Sequence, residues 1–122
     1  MKKTFSLGEA QFLTGKLVFE KIKELGLDIV AIGGLTMGAD PIAYAVARYS
    51  YDTGTPINAF VIRKEPKKHG LQLQIEGGVN AGDEVLIVDD VVTTGATTKA
   101  MVKELKKLRP ASITVVALCR VI

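Results

Sequence analysis

The chain has too little of several things to belong to the commoner specialised classes. It carries one cysteine, Cys119, so neither an internal disulfide nor a CxxC or zinc cluster of cysteines can be assembled. A reducing, cytoplasmic setting is the expectation. No apolar run reaches the length that crosses a bilayer. After Lys2 and Lys3, the residues Thr4, Ser6, Gly8, Glu9 and Gln11 interrupt any signal-peptide core. No membrane partner is expected. Tryptophan is absent and aromatics make up 6%, which suits an aliphatic α/β core better than a disordered or disulfide-stapled chain. Net charge is scarce too: 16 Lys and Arg against 13 Asp and Glu leave +3, which argues against a general nucleic-acid-binding role.

What is present fits one globular α/β domain over residues 1–122, with 48% hydrophobic residues to build its core. Ser6 and Glu9 have capping-box spacing, and Phe12, Leu13, Leu17, Val18, Ile22 and Leu25 recur at helical intervals, predicting a helix over 7–25. DIVAI at 28–32 reads as a strand buried on both faces and closed by Gly33 and Gly34. Asp40 then serves as an N-cap with Pro41 at the first helical position, for a helix to about Tyr49. A strand over 57–62 leads into the charged stretch 63–70, where Pro66 and Gly70 predict a mobile loop. The alternation of Leu71, Leu73 and Ile75 with Gln72, Gln74 and Glu76 marks a half-exposed returning strand. A core strand at 84–88 follows, then a helix over 95–108 with Ala100, Met101, Leu105 and Leu108 on its inner face. A last strand at 113–118 is buried by composition. Strands alternating with helices imply right-handed crossovers, a mostly parallel central sheet flanked by helices, and ligand binding beyond the C-terminal strand ends.

The most informative segment is VLIVDDVVTTGAT, residues 85–97. A buried strand ends in two adjacent acids, Asp89 and Asp90, and a hydroxyl- and glycine-rich turn then enters a helix. Neighbouring carboxylates repel and lose hydration unless hydroxyl donors bind them, and the vicinal hydroxyls of a ribose are suitable donors. Thr93, Thr94, Gly95, Ala96 and Thr97 supply hydroxyls and N–H groups at a helix N-terminus, which favours an anion. A sugar and its phosphate would sit side by side. The alternative is a plain helix cap beside a solvated strand-end acid.

This segment resembles the phosphoribosyl-pyrophosphate signature of type I phosphoribosyltransferases. The resemblance implies a Rossmann-like core in which Asp89 and Asp90 bind ribose hydroxyls and Thr93 to Thr97 cradle the 5-phosphate, with Val91 and Val92 also in the ligand-binding set. It also implies Mg²⁺, carried with the pyrophosphate and with no protein cage. The stretch RKEPKKHG at 63–70 is similar to the catalytic loop of orotate phosphoribosyltransferases. That similarity makes Arg63, Lys64, Lys67 and His69 contacts to phosphoribosyl pyrophosphate, with Lys67 and His69 catalytic. Such cations would stabilise the departing pyrophosphate. It also implies a homodimer that shares the loop between subunits. Read alone, the stretch could equally be a solvated basic hairpin.

GGLTMGADP at 33–41 is similar to the family's pyrophosphate loop, here leaning on backbone N–H groups, Thr36 and Gly38, because Met37 stands where relatives have lysine. A nucleoside-triphosphate P-loop is excluded, since Ala39 and Asp40 replace its Lys and Ser or Thr. Arg120 matches the family's orotate-pairing arginine, and Thr93 the threonine that positions the base. The segments that extend relatives at both ends, including an N-terminal hood over the base, have no counterpart in these residues. The expected activity is Mg²⁺-dependent phosphoribosyl transfer to orotate. The alternatives are transfer to another base, or a regulatory module that binds phosphoribosyl pyrophosphate without turnover.

Overall fold

A computed structural model describes residues 7–36, 38–67, 70–90 and 95–118. The elements run α1 (Leu7–Glu24), β1 (Ala31–Leu35), α2 (Asp40–Thr53), β2 (Asn58–Lys67), β3 (Gly70–Gly77), β4 (Glu84–Asp90), α3 (Gly95–Lys106) and β5 (Ser112–Leu118). They form one five-stranded sheet in the order β3-β2-β1-β4-β5, parallel except for the antiparallel pairing of β3 with β2. This is the expected mostly parallel α/β sheet. From β1 the chain moves one way through α2 to β2, and from β4 it moves the other way through α3 to β5. Crossovers of one hand running in opposite directions put their helices on opposite faces. The order therefore reverses between β1 and β4, the place where open α/β sheets bind ligands.

Each face carries its own core. On one, Ile32, Leu86 and Val88 pack with Phe19 and Ile22 of α1 and Ala43 and Val46 of α2. On the other, Val85, Ile87, Phe60 and Ile62 pack with Met101 and Leu105 of α3. The central strands are buried on both sides, which is why they read as continuous apolar runs. No helix among the described residues is long and apolar enough to cross a membrane.

Several expectations need correction. The strand predicted at 28–32 lies at Ala31–Leu35 and contains both glycines. A Cβ on Gly33 would fall 2.3 Å from the Phe60 carbonyl oxygen, and one on Gly34 2.3 Å from that of Val88. The pair permits close approach inside the sheet rather than closing the strand. Only part of the apolar set expected on α1 faces inward: Ile22 is buried and Leu13 and Val18 are partly buried, but Phe12, Leu17 and Leu25 are more than half exposed, and Phe19, outside that set, is buried. Gly15 lies beside Phe19 and Ile22 on the inward face, and a Cβ there would fall 2.4 Å from the Ala45 carbonyl oxygen, so α1 and α2 approach through backbone.

Asp40 is not the N-cap of α2; Ala39 holds that position, with no side-chain cap bond, and Pro41 follows in the first turn. Residues 63–67, expected in a mobile loop, continue β2 in a ladder that reaches Lys67↔Gly70. The alternation that marked β3 required a partner, and β2 supplies it. On α3, Met101 and Leu105 are buried as expected, but Ala100 is exposed and Leu108 lies beyond the helix, 37% exposed. β5 is an edge strand with Val115 40% exposed, not a buried one, because only β4 flanks it.

Candidate functional site

The C-terminal ends of β1 and β4 lie side by side at the topological switch, and each presents an aspartate held by a threonine hydroxyl. On β4, Asp89 shares a face with Val85 and Ile87, the face that α3 covers, and is only 9% exposed. The Thr98 hydroxyl, one turn into α3, donates to Asp89 Oδ2. Asp89 belongs to the signature segment, and Thr98 is the residue directly after it. The strand delivers the acid to the edge, and the helix that starts at Gly95 brings the hydroxyl back over it. The backbone of Asp90 pairs with Leu118, so the acid pair ends the sheet at this edge.

On β1, the Thr36 N–H extends the ladder by donating to Ile62 O at 2.9 Å, and the Ala39 N–H closes a turn onto Leu35 O at 3.1 Å. The Thr36 hydroxyl donates to Asp40 Oδ2 at 2.5 Å. The other carboxylate oxygen, Asp40 Oδ1, is buried without a hydrogen-bond partner. Ala39 packs under the turn: a Cβ on Gly34 would meet both Ala39 Cβ, at 2.8 Å, and the Val88 carbonyl oxygen. The turn is thus pressed against β4 at the residue preceding Asp89. Gly38 is exposed in this turn.

Of the residues expected to bind a ligand, Asp89, Thr97, Gly95, Thr36 and Gly38 lie on the β1 and β4 connections at this edge. The backbones of Asp90 and Ala96 join them. Arg63 and Lys64 instead lie on the β2–β3 hairpin, where Arg63 reaches Glu76 at 3.6 Å across the ladder. The backbone of Lys67 ends β2. His69, Val91, Val92, Thr93, Thr94 and Arg120 lie outside the described residues, as do Met37 and Cys119. Two participants escaped the sequence reading. Thr98 was passed over because the phosphate signature was ended at Thr97. Asp40 was taken for a cap because Asp-Pro is a common helix start, whereas the i, i+4 spacing from Thr36 was the available signal.

No group of three or more His, Cys, Asp and Glu gathers as a metal site among the described residues. The carboxylate chemistry at the edge nevertheless fits a hard divalent cation bound largely through ligand oxygens and water. Away from the edge, a groove of about 460 Å³ between α1 and α2 is lined by Phe12, Tyr44, Tyr49 and Arg48. There Asp52 hydrogen-bonds the Arg48 guanidinium at 2.8 Å and, by that bond and its charge, raises its pKa.

The comparisons with known proteins converge on the same architecture. The chain is 52% identical over 95 residues to an orotate phosphoribosyltransferase of Aquifex aeolicus, covering 78% of this chain and 51% of that protein. Among solved structures, an orotate phosphoribosyltransferase of Mycobacterium tuberculosis H37Rv matches at 37% identity and a TM-score of 0.69, covering 91% of this chain and 61% of that one. A complex of the Mycobacterium tuberculosis H37Rv enzyme with 5-phospho-α-D-ribosyl 1-diphosphate matches at 33% identity and 0.66, covering 89% and 59%. The chain spans about half the length of the Aquifex relative. The phosphoribosyl transferase domain model matches residues 8–122. With that match over nearly the whole chain and a paired-acid edge at the sheet's switch point, the chain belongs to the phosphoribosyltransferase domain family.

Proposed function

We propose that the chain transfers a phosphoribosyl group from phosphoribosyl pyrophosphate to the N1 nitrogen of orotate, giving orotidine 5′-phosphate and pyrophosphate. The observation that carries this reading is the buried Asp89 at the β4 end, with α3 beginning five residues after Asp90. A carboxylate that accepts hydroxyls thus stands beside a helix N-terminus that accepts an anion. The orotate specificity is supported by the relatives' names and by the RKEPKKHG stretch.

In this reading Asp89 and Asp90 hold the ribose hydroxyls, and residues 93–97 hold the 5-phosphate. Gly38 and the turn after β1 face the diphosphate. The C1–O bond breaks with positive charge developing on the sugar, and the proximity of bound carboxylates favours that charge. Lys67 and His69, with Arg63 and Lys64 behind them, neutralise the departing pyrophosphate from the hairpin tip. Thr93 and Arg120 place the base; a guanidinium suits a planar anion. Mg²⁺ enters with the diphosphate and offsets its charge. The likeness of the RKEPKKHG stretch to the orotate phosphoribosyltransferase loop supports a working unit that is a homodimer sharing this hairpin between subunits, in the cytoplasm.

The test mixes orotate, phosphoribosyl pyrophosphate and Mg²⁺ with the chain and follows orotate absorbance, with uracil and hypoxanthine as competing bases. Consumption of orotate that Lys67→Ala abolishes supports the reading. A flat trace that Lys67→Ala leaves unchanged sinks it.

A further inference from the structure

Thr36 and Asp40 form a pair whose chemistry the reaction scheme leaves unused. A threonine hydroxyl has one proton, and here Asp40 takes it. Thr36 therefore offers a ligand lone pairs rather than a donor, which is the wrong polarity for direct contact with a phosphate oxygen. Its N–H is engaged by Ile62 O and that of Ala39 by Leu35 O. Thr36 and Ala39 thereby tie the turn to β2, to β1 and, through Ala39 against Gly34, to the Val88 end of β4. An aspartate in the first turn of α2 suits the helix dipole. That alone explains neither the hydroxyl bond to one oxygen nor the burial of the other without a partner.

We propose that Asp40 is a positioning residue for the diphosphate end of the phosphoribosyl donor. By capturing the Thr36 hydroxyl it fixes the turn after β1, so that the turn meets the diphosphate through main-chain N–H groups while Asp89 independently holds the sugar. Thr36 acts inward, on Asp40, and not on the ligand. The inference rests on the proposed function for the identity of the ligand.

The experiment measures calorimetric affinities of the full chain, with Mg²⁺, for phosphoribosyl pyrophosphate, inorganic pyrophosphate and ribose 5-phosphate. Loss of one organising hydrogen bond to a charged group predicts that Asp40→Ala and Thr36→Val each weaken the two diphosphate-bearing probes about 10-fold. Ribose 5-phosphate is then held with unchanged affinity. Asp40→Asn, which keeps an acceptor, and Thr36→Ser, which keeps the hydroxyl, restore binding to within about 3-fold of wild type. The double variant Asp40→Ala/Thr36→Val is no weaker than either single one, as expected of one shared interaction. The near-isosteric Thr36→Val and Asp40→Asn carry the test should Asp40→Ala unfold. Equal loss for ribose 5-phosphate, additive losses, or tighter diphosphate binding once Asp40 releases Thr36 each overturn the inference. A wild-type chain that binds none of the three probes overturns the proposed function instead and takes this inference with it.

Discussion

The two edges of the sheet treat their polar groups differently. At the N-terminal ends of the parallel strands, where loops only connect, the described polar groups find partners within the chain. Buried Ser50 donates to Ala47 O at 2.7 Å and accepts the Ile57 N–H at 2.8 Å, joining the end of α2 to the start of β2. Gly82 N–H donates to Arg109 O, Ala111 N–H to Asp83 O, and Asn80 N–H to the Asp83 carboxylate. At the C-terminal ends, aspartates are drawn inward, and Asp40 Oδ1 is left buried without a partner. A buried acceptor without a donor costs about 1–3 kcal/mol. A fold that satisfies one edge and leaves such a group on the other is separating scaffold from site.

Variants at the two edges should therefore fail in different ways. The largest effect is expected at the joint between the β1 turn and β4. An added methyl at Gly34 meets backbone, so Gly34→Ala should cost about 3 kcal/mol in urea unfolding by overpacking. Next, under the proposed function Asp89→Asn would remove a charged acceptor from the sugar. It should weaken both ribose 5-phosphate and phosphoribosyl pyrophosphate about 30-fold in calorimetry, with pyrophosphate affinity unaffected. That pattern is the converse of the one expected at Asp40, and identical patterns at both acids would erase the division of labour.

On the connecting edge stability should change while ligand binding does not. Ser50→Ala strands the Ile57 N–H and should lower stability by about 1–2 kcal/mol while ligand affinity stays at the wild-type value. The smallest effect is a gain. Arg109 sits at φ 56°, in the left-handed region, three residues past the end of α3. Arg109→Gly should raise stability by about 0.5–1 kcal/mol in thermal unfolding, the relief of strain being reduced by glycine's greater freedom when unfolded. Altered ligand binding in either variant would blur the contrast between the edges.

The acid pair and the helix after it were legible because they are local: a strand, two carboxylates and a helix start occupy consecutive residues, so the segment alone fixes their order in space. Thr36–Asp40 was misread because its meaning is not local. Asp-Pro matches a cap, and only the packing of Ala39 on Gly34 and Val88 shows why the hydroxyl turns inward. The hairpin was half legible. Alternation gave β3, but the charged stretch left a mobile loop and a solvated basic hairpin both open, since a strand at a sheet edge can carry charges on solvent-facing positions.

Hydrophobic order along the chain determined the alternation of strands and helices, the doubly buried central strands and the place of the acid-bearing strand edge, because burial on two faces demands continuous apolar runs wherever the strand sits. Tertiary structure alone decided which glycines are interior, which side of α1 faces inward, how far β2 extends and which oxygen of Asp40 is left without a donor. Those outcomes depend on backbones from distant segments approaching within van der Waals contact, a distance that no periodicity encodes.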